Sequence, residues 1–189
     1  MNDSAFEQAC AAIDSLLQEV PHAVVAIDGR CGAGKTTLAA RLQAHYNCTV
    51  IPMDHFFLRP EQRTPDRLAV PGENADHERF LEEVLLPLSK GAPFSYRPFD
   101  CSRMELAFPV SVSPGKLTIV EGSYSCHPEL WAHYDLRIFL TVEPGEQMRR
   151  ISARNGAYAQ VFQQKWIPLE ESYFTAFNLE TRCDLILHT

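Results

Sequence analysis

Residues 24–38 place the strongest constraint on what this chain can fold into. They contain the pattern G-x-x-x-x-G-K-[ST] at 29–36, between a short apolar segment and a segment with helical periodicity. Glycines let such a loop fold tightly enough for its backbone N–H groups to reach phosphate oxygens, and the following helix adds partial positive charge. The sequence therefore predicts a strand, a phosphate-binding loop (P-loop) and a helix, in that order.

The side chains of this loop predict a nucleotide site. Lys35 can reach the β- and γ-phosphates of a bound nucleotide, and the Thr36 hydroxyl can bind Mg²⁺. ATP and Mg²⁺ are therefore the expected cofactors, with a glycine-rich turn that binds nothing as the alternative. The predicted nucleotide-binding residues are Gly29, Gly32, Ala33, Gly34, Lys35, Thr36 and Thr37.

Composition argues against several classes of protein. The chain has 189 residues, 46% hydrophobic and 22% charged, which is an ordinary balance for one α/β domain. Its net charge of −7, without a run of lysines or arginines, argues against nucleic acid as a partner. Because residues 1–4 lack signal-peptide features and no apolar run could span a membrane, we expect a cytoplasmic protein without membrane partners.

The cysteines and histidines do not suggest a metal site. The six cysteines are scattered without a C-x-x-C pair, which predicts reduced thiols. The seven histidines show neither H-E-x-x-H nor close pairing, so we expect no site built from histidines. Cys31 lies inside the P-loop, where a lowered thiol pKa would permit oxidation, although a small tolerated side chain is the simpler interpretation.

Two acidic residues follow apolar segments that are typical of buried strands. Asp54 follows residues 48–53, and Glu121 follows residues 117–120. Because ligands bind beyond the carboxyl ends of the strands in a doubly wound sheet, both acids are expected at the edge that carries Lys35. A strand that ends in a carboxylate is the Walker B pattern, whose acid serves Mg²⁺. A capping or turn aspartate remains the alternative for Asp54.

At least five apolar strands alternate with helices, which predicts a three-layer α/β fold: a parallel five-stranded sheet with helices on both faces. We expect one domain over residues 1–189, with an N-terminal helix at 1–20, an insertion at about 55–112 and a lid at about 145–165. Within the insertion we predict a long loop, a helix that Pro87 ends or kinks, irregular chain at 91–100 and a strand or hairpin arm at 106–112.

A P-loop protein of this size can belong to several classes. The N-K-x-D motif of GTPases and the signatures of transport-type and AAA ATPases are absent. A small-molecule kinase needs a P-loop, an acid that takes the substrate proton, a carboxylate for Mg²⁺ and lid arginines. The chain has a candidate for each, since Arg150 and Arg154 lie one helical turn apart, although a solvated basic face explains their spacing equally well.

Four segments together resemble the uridine kinase family, which includes nicotinamide riboside kinases and has phosphoribulokinase and bacterial pantothenate kinase as more distant relatives. They are residues 28–38, 53–57, 119–122 and 149–154, and the resemblance covers about residues 22–188. It implies a P-loop NTPase fold with one kinase domain, in which the insertion binds the substrate. It also implies an ATP-dependent phosphotransferase with an alcohol group as acceptor.

The resemblance implies a role for each matched residue. Asp54 would accept the proton of the acceptor hydroxyl, and Glu121 would serve Mg²⁺ and catalysis. Arg150 and Arg154 would close over the phosphates, next to Lys35. The expected catalytic residues are Asp54, Lys35, Glu121, Arg150 and Arg154, and the expected metal ligands are Thr36 and Glu121.

The acceptor side matches the family less closely. Residues 74–77 are similar to the N-F-D-H segment, whose aspartate, here Asp76, binds ribose hydroxyls. Residues 96–103 are similar to the Y-D-F-x-x-H-S-R block, but Arg97 replaces an aspartate and Cys101 replaces the histidine that contacts the pyrimidine. If the arginines of this block face the pocket, an anionic acceptor would suit it. The expected substrate-binding residues are Asp76, Tyr96, Arg97 and Arg103.

The sequence thus predicts transfer of the γ-phosphoryl group of ATP to a hydroxyl of a nucleoside-like or related metabolite. The rival interpretation is a nucleotide-binding regulatory module with weak ATPase activity and no small-molecule acceptor, which the acidic surface permits. The identity of the acceptor, the choice between ATP and GTP, and the formation of a homo-oligomer stay open.

Overall fold

The computed structural model describes residues 3–189, so the first two residues of the helix expected at 1–20 lie outside it. Its strands are β1 (Ala23–Gly29), β2 (Thr49–Pro52), β3 (Phe94–Tyr96), β4 (Phe99–Asp100), β5 (Glu105–Leu106), β6 (Val110–Val112), β7 (Leu117–Glu121), β8 (Leu136–Thr141) and β9 (Leu185–His188). Five of them form a parallel sheet in the order β2-β7-β1-β8-β9. Two antiparallel pairs, β3 with β6 and β4 with β5, belong to the insertion.

Helices connect these strands. They are α1 (Asp3–Glu19), α2 (Lys35–Tyr46), α3 (Pro65–Leu68), α4 (His77–Phe80), α5 (Leu86–Ser89), α6 (Pro144–Asn155), α7 (Ala159–Val161), α8 (Ile167–Phe177) and α9 (Leu179–Arg182). A π-helical turn at Leu81–Leu85 joins α4 to α5, and another at Phe162–Trp166 joins α7 to α8. Short 3₁₀ turns lie at Met53–Phe56, Pro60–Gln62, Trp131–His133 and Gly156–Tyr158. No helix of residues 3–189 has both the length and the apolar character that crossing a membrane requires.

The sheet is buried on both faces, because its strands are nearly continuous apolar runs. Alternate residues of β1 face opposite ways: Val25 and Ile27 pack with α1 and α2, whereas Ala26 packs in the cluster that contains Phe56 and Tyr173. This alternation follows from the two-residue period of a strand. The predicted three-layer α/β fold with a parallel five-stranded sheet is therefore confirmed.

The insertion contains more regular structure than its sequence indicated. The segment 91–100, predicted to be irregular, contains β3 and β4, which pair with later strands. Pro87 does not end its helix, which continues to Ser89. The N–H of Leu86 donates to the carbonyl of Leu81, five residues earlier. This turn therefore contains one residue more than an α-helical turn, immediately before Pro87. Such a π-turn accommodates a residue that has no N–H to donate.

Candidate active site

The P-loop connects the carboxyl end of β1 to the first turn of α2, as predicted. Gly29 ends β1 with a φ of 128°, and a Cβ there would lie 2.0 Å from the backbone oxygen of Leu140. Only glycine therefore lets β1 approach β8 this closely. Lys35 is 9% exposed, and its Nζ donates to the carbonyl oxygens of Gly29 and Arg30 at 2.6 and 3.2 Å. The loop folds around its own lysine.

The two residues predicted to bind Mg²⁺ lie in contact. Thr36 donates its hydroxyl to Glu121, with Oγ1 3.2 Å from Oε2 and 3.4 Å from Oε1. Burial raises the pKa of Glu121, as does the charge of Asp54, whereas Lys35 and the Thr36 hydroxyl lower it. A hydroxyl next to a carboxylate is a hard-oxygen donor set, the kind that Mg²⁺ prefers. These two side chains therefore fit a magnesium ion.

Asp54 lies at the same edge of the sheet, in the turn that directly follows β2. Gly122 comes next to it, and a Cβ on that glycine would lie 2.9 Å from Met53 Cβ and 3.4 Å from Asp54 Oδ1. Asp54 is an exposed residue, yet the protein around it desolvates the carboxylate and raises its pKa, while the charge of Lys35 lowers it. A glycine at 122 thus leaves room beside the carboxylate of Asp54.

Helix α6 carries the two predicted lid arginines, and one of them, Arg150, contacts the P-loop. Arg150 donates to Glu146 Oε1 at 2.6 Å and to the carbonyl of Gly32 at 3.3 Å, which ties this helix to the loop. Arg154 lies one turn later and is exposed. Arg149, the residue before Arg150, is also held by Glu146, at 2.6 Å for both of its contacts. Glu146 therefore orients two of the three arginines.

These side chains line one cavity of about 700 Å³. From the predicted catalytic and nucleotide-binding residues it brings together Gly32, Gly34, Lys35, Thr36, Thr37, Asp54, Glu121, Arg150 and Arg154. Gly29 and Ala33 are buried behind the loop surface and do not line it. The lining residues that were not among the predicted site residues are Cys31, Phe57, Asn74, Gly122, Ser123, Tyr124, Glu146, Arg149, Phe162, Trp166 and Glu170.

The two arginines that were predicted to bind the phosphoryl acceptor do not line this cavity. Arg97 donates from Nε to the carbonyl of Ala107 at 2.8 Å and from Nη2 to that of Leu106 at 2.7 Å. Arg103 is exposed and forms an ion pair with Glu105 at 2.7 Å. Both guanidinium groups fold back onto the short strands around them. In this arrangement neither of them is placed to bind an anionic acceptor in the cavity.

The other two residues that were predicted to bind the phosphoryl acceptor are buried within the insertion. Asp76 is 1% exposed and accepts from the backbone N–H and the Nε of Arg79, both at 3.3 Å. Tyr96 is 3% exposed, and its hydroxyl lies 2.9 Å from His55 Nδ1. Neither residue lines the cavity. The carboxylate of Asp76 caps α4 and is engaged by an arginine, so it is not open to a ligand as it stands.

Glu170, on α8, is the least expected member of the cavity. It is 6% exposed, and its Oε2 accepts the backbone N–H of Cys31 at 2.9 Å. Its Oε1 accepts the hydroxyl of Ser123 at 2.6 Å. The next residue, Glu171, holds the guanidinium of Arg30 with contacts of 2.7 and 2.9 Å. No motif identifies Glu170, because an acid on a helix looks like an ordinary surface residue until the fold buries it.

All six cysteines are free, as predicted. Cys31 does not have the activated thiol that the loop position suggested. Burial and the nearby charge of Glu170 raise the pKa of this thiol to about 12. Because the thiolate is the reactive form, this shift disfavours reaction of Cys31 near neutral pH. The simpler interpretation of this residue, a small tolerated side chain, is therefore favoured.

The structure brings together two histidines that lie far apart in the sequence. The rings of His77 and His127 stack with centroids 4.0 Å apart and planes 13° from parallel. Glu73 Oε1 lies 3.0 Å from His77 Nε2 and 3.9 Å from His127 Nε2. An ion held by imidazole lies near the ring plane, and two stacked rings cannot both satisfy that condition. In this arrangement the cluster packs the insertion against the segment after β7.

Comparisons with known proteins agree with this architecture. No protein-family model matches the chain. It is similar to the structure of a candidate uridine kinase from Bacillus stearothermophilus, with 17% identity, a TM-score of 0.65 and 95% of this chain and 99% of that one covered. It is also similar to the structure of a candidate fructose transport system kinase from Silicibacter sp. TM1040, with 24% identity, a TM-score of 0.70 and 94% of this chain and 98% of that one covered. Phosphoribulokinase from Rhodobacter spheroides is a third similar structure, with 14% identity, a TM-score of 0.60 and 89% of this chain and 70% of that one covered. The chain therefore has the fold of these P-loop kinases, which confirms the resemblance at the level of the fold.

Proposed function

We propose that the protein is an ATP-dependent small-molecule kinase. It would transfer the γ-phosphoryl group to an alcohol group of a nucleoside-like or related metabolite. One observation carries the proposal: the Thr36–Glu121 pair, Asp54 and Lys35 line a single cavity together with the arginines of α6. The similar structures named above are described as kinases, which supports the same class of reaction.

The phosphate end of the cavity supplies binding and charge. Lys35 would turn from the carbonyls of its own loop to the phosphate oxygens, which are stronger acceptors. Thr36 and Glu121 are the residues that would hold Mg²⁺, which when bound neutralises negative charge on the phosphates. Arg150 and Arg154 would face the transferring group and limit the access of water, so that hydrolysis is slow.

Asp54 supplies the base. A carboxylate beside the cavity can accept the proton of an acceptor hydroxyl as the hydroxyl oxygen attacks phosphorus. The desolvation that raises the pKa of Asp54 makes it a stronger base than an ordinary aspartate. The charge of Lys35 acts in the opposite direction and lowers the pKa of Asp54, so a group that would handle the phosphates also influences the protonation of the base.

ADP release tests the proposal directly. The purified protein is given Mg·ATP with a panel of nucleosides, vitamins, sugars and sugar phosphates, and the acceptor is examined by mass spectrometry. We expect release that depends on an acceptor and one phosphate added per ADP formed, and none of it in the Lys35→Ala variant. Slow ATP hydrolysis that no acceptor changes would overturn the kinase and favour a regulatory nucleotide-binding module.

A further inference from the structure

We infer that the phosphoryl acceptor is an uncharged or cationic alcohol, and that Glu170 is a specificity-determining residue that rejects anionic acceptors. This inference rests on the proposed kinase function and adds the charge class of its substrate. It replaces the anionic acceptor that Arg97 and Arg103 suggested, because neither of those side chains reaches the cavity.

The cations that line the cavity come from two elements, the P-loop and α6. Lys35 belongs to the P-loop, and Arg149, Arg150 and Arg154 belong to α6. Four charges of this kind match the triphosphate and the transferring group. We take the part of the cavity beside the proposed base, Asp54, as its acceptor end. To the lining there, the insertion supplies Phe57 and Asn74, the segment after β7 supplies Tyr124, and α8 supplies Glu170. Among the described residues that line this end, none is a cation.

The arginines of the insertion do not supply the missing cation. Arg79 is buried and bonded to Asp76 and Glu83, and Arg67 is bonded to Glu73 and Glu78. An arginine that reached into the cavity would have to leave partners of this kind. The arginines of residues 55–112, none of which lines the cavity, are Arg59, Arg63, Arg67, Arg79, Arg97 and Arg103.

Glu170 adds negative charge where the acceptor would bind. The Cys31 N–H and the Ser123 hydroxyl hold its two oxygens in place, at 2.9 and 2.6 Å. Its charge acts on Asp54 and, after desolvation, raises the pKa of that carboxyl group, whereas Lys35, His55 and Arg154 lower it. A phosphate or carboxylate on the acceptor would therefore meet two carboxylates in a partly desolvated space, whereas a hydroxyl can donate to them.

Matched acceptor pairs test the charge class. The proposed panel is D-ribose with D-ribose 5-phosphate, cytidine with cytidine 3′-monophosphate, and choline with glycerate, each assayed for ADP release. We expect the uncharged or cationic member to be the better substrate by about tenfold or more in kcat/KM. Preference for the anionic member would overturn this inference and leave the kinase standing. ADP release with no compound in this panel or the wider one would overturn the proposed function and, with it, the inference.

Variants test the residue. Glu170→Gln keeps an acceptor for the Cys31 N–H but removes the charge, so it should raise the relative kcat/KM of the anionic member about tenfold. Glu171→Gln is the matched control, since this neighbour pairs with Arg30 and does not line the cavity. Asn74→Lys, which adds a cation at the acceptor end, should shift the preference the same way and does not depend on how Glu170→Gln folds. An unchanged preference in both cavity variants would overturn the assignment.

Discussion

At the scale of single residues, Asp54 is the side chain on which the proposed chemistry depends most. Asp54→Asn keeps the size of the side chain but cannot accept a proton, so we expect kcat to fall by about 10²–10⁴. Nucleotide affinity should stay close to that of the unchanged protein, because the P-loop contacts of Lys35 and Thr36 do not involve Asp54. ADP release and titration with a fluorescent ATP analogue measure the two quantities. Normal turnover in this variant would remove Asp54 as the base.

The environment of Asp54 also predicts the pH dependence of turnover. Desolvation raises the pKa of this carboxyl group, and only its deprotonated form can act as a base. Lowering the pH through the raised pKa should therefore abolish kcat, with a midpoint above the value of about 3.9 for an ordinary aspartate. The measurement is kcat at saturating substrates from pH 4 to 8, with circular dichroism as the control for unfolding. A midpoint at or below the ordinary value would contradict the assignment.

At the scale of elements, the attachment of α8 to β1 makes a stability prediction. The hydroxyl of Tyr173 donates to Asp28 Oδ2 at 3.0 Å, and both residues are fully buried. Tyr173→Phe would leave this carboxylate without one of its donors, which should cost about 1–3 kcal/mol in the free energy of unfolding. Urea unfolding measures the change, and Tyr158→Phe, at a residue that is 52% exposed, is the control. Equal stability of the two variants would show that the buried bond contributes nothing.

The elements that could be predicted from the sequence are those whose patterns are local. The run at 117–120 is apolar throughout, so its burial and its terminal acid follow without knowledge of the fold. Strands of two or three residues, such as β3 and β4, have no periodicity and form only because a partner strand lies beside them. Glu170 and the pair His77–His127 meet their neighbours only when distant segments fold together, and no spacing in the sequence contains that information.

At the scale of the whole molecule, the P-loop is held by side chains from the C-terminal part of the chain. Gln147 of α6 donates to the carbonyl of Cys31 at 2.9 Å, and the hydroxyl of Thr189 donates to the carbonyl of Ala33 at 2.8 Å. Helix α8 adds the contact between Glu170 and Cys31. A ligand that orders this loop should therefore stabilise the three-layer core as well as the site.

This linkage predicts a thermal shift. Mg·ATP at about 100 times its dissociation constant should add about 2.7 kcal/mol to the free energy of unfolding. For a chain of this length the melting temperature should rise by about 5–10 °C. Differential scanning fluorimetry measures the shift, and Lys35→Ala should lose most of it. The same shift with and without this lysine would contradict the assignment of the P-loop.

The distribution of thiols has a practical consequence for spectroscopy. Among the six cysteines, which all lie within residues 3–189, only Cys101 is exposed, and it lies between β4 and β5 of the insertion. Burial raises the pKa of Cys31 to about 12 and also raises that of Cys10, Cys48 and Cys101, so exposure to the reagent, not acidity, distinguishes Cys101. A maleimide dye should therefore attach first at Cys101 in the unaltered protein. Its emission would report movement of the insertion as acceptor and nucleotide bind, without an engineered labelling site.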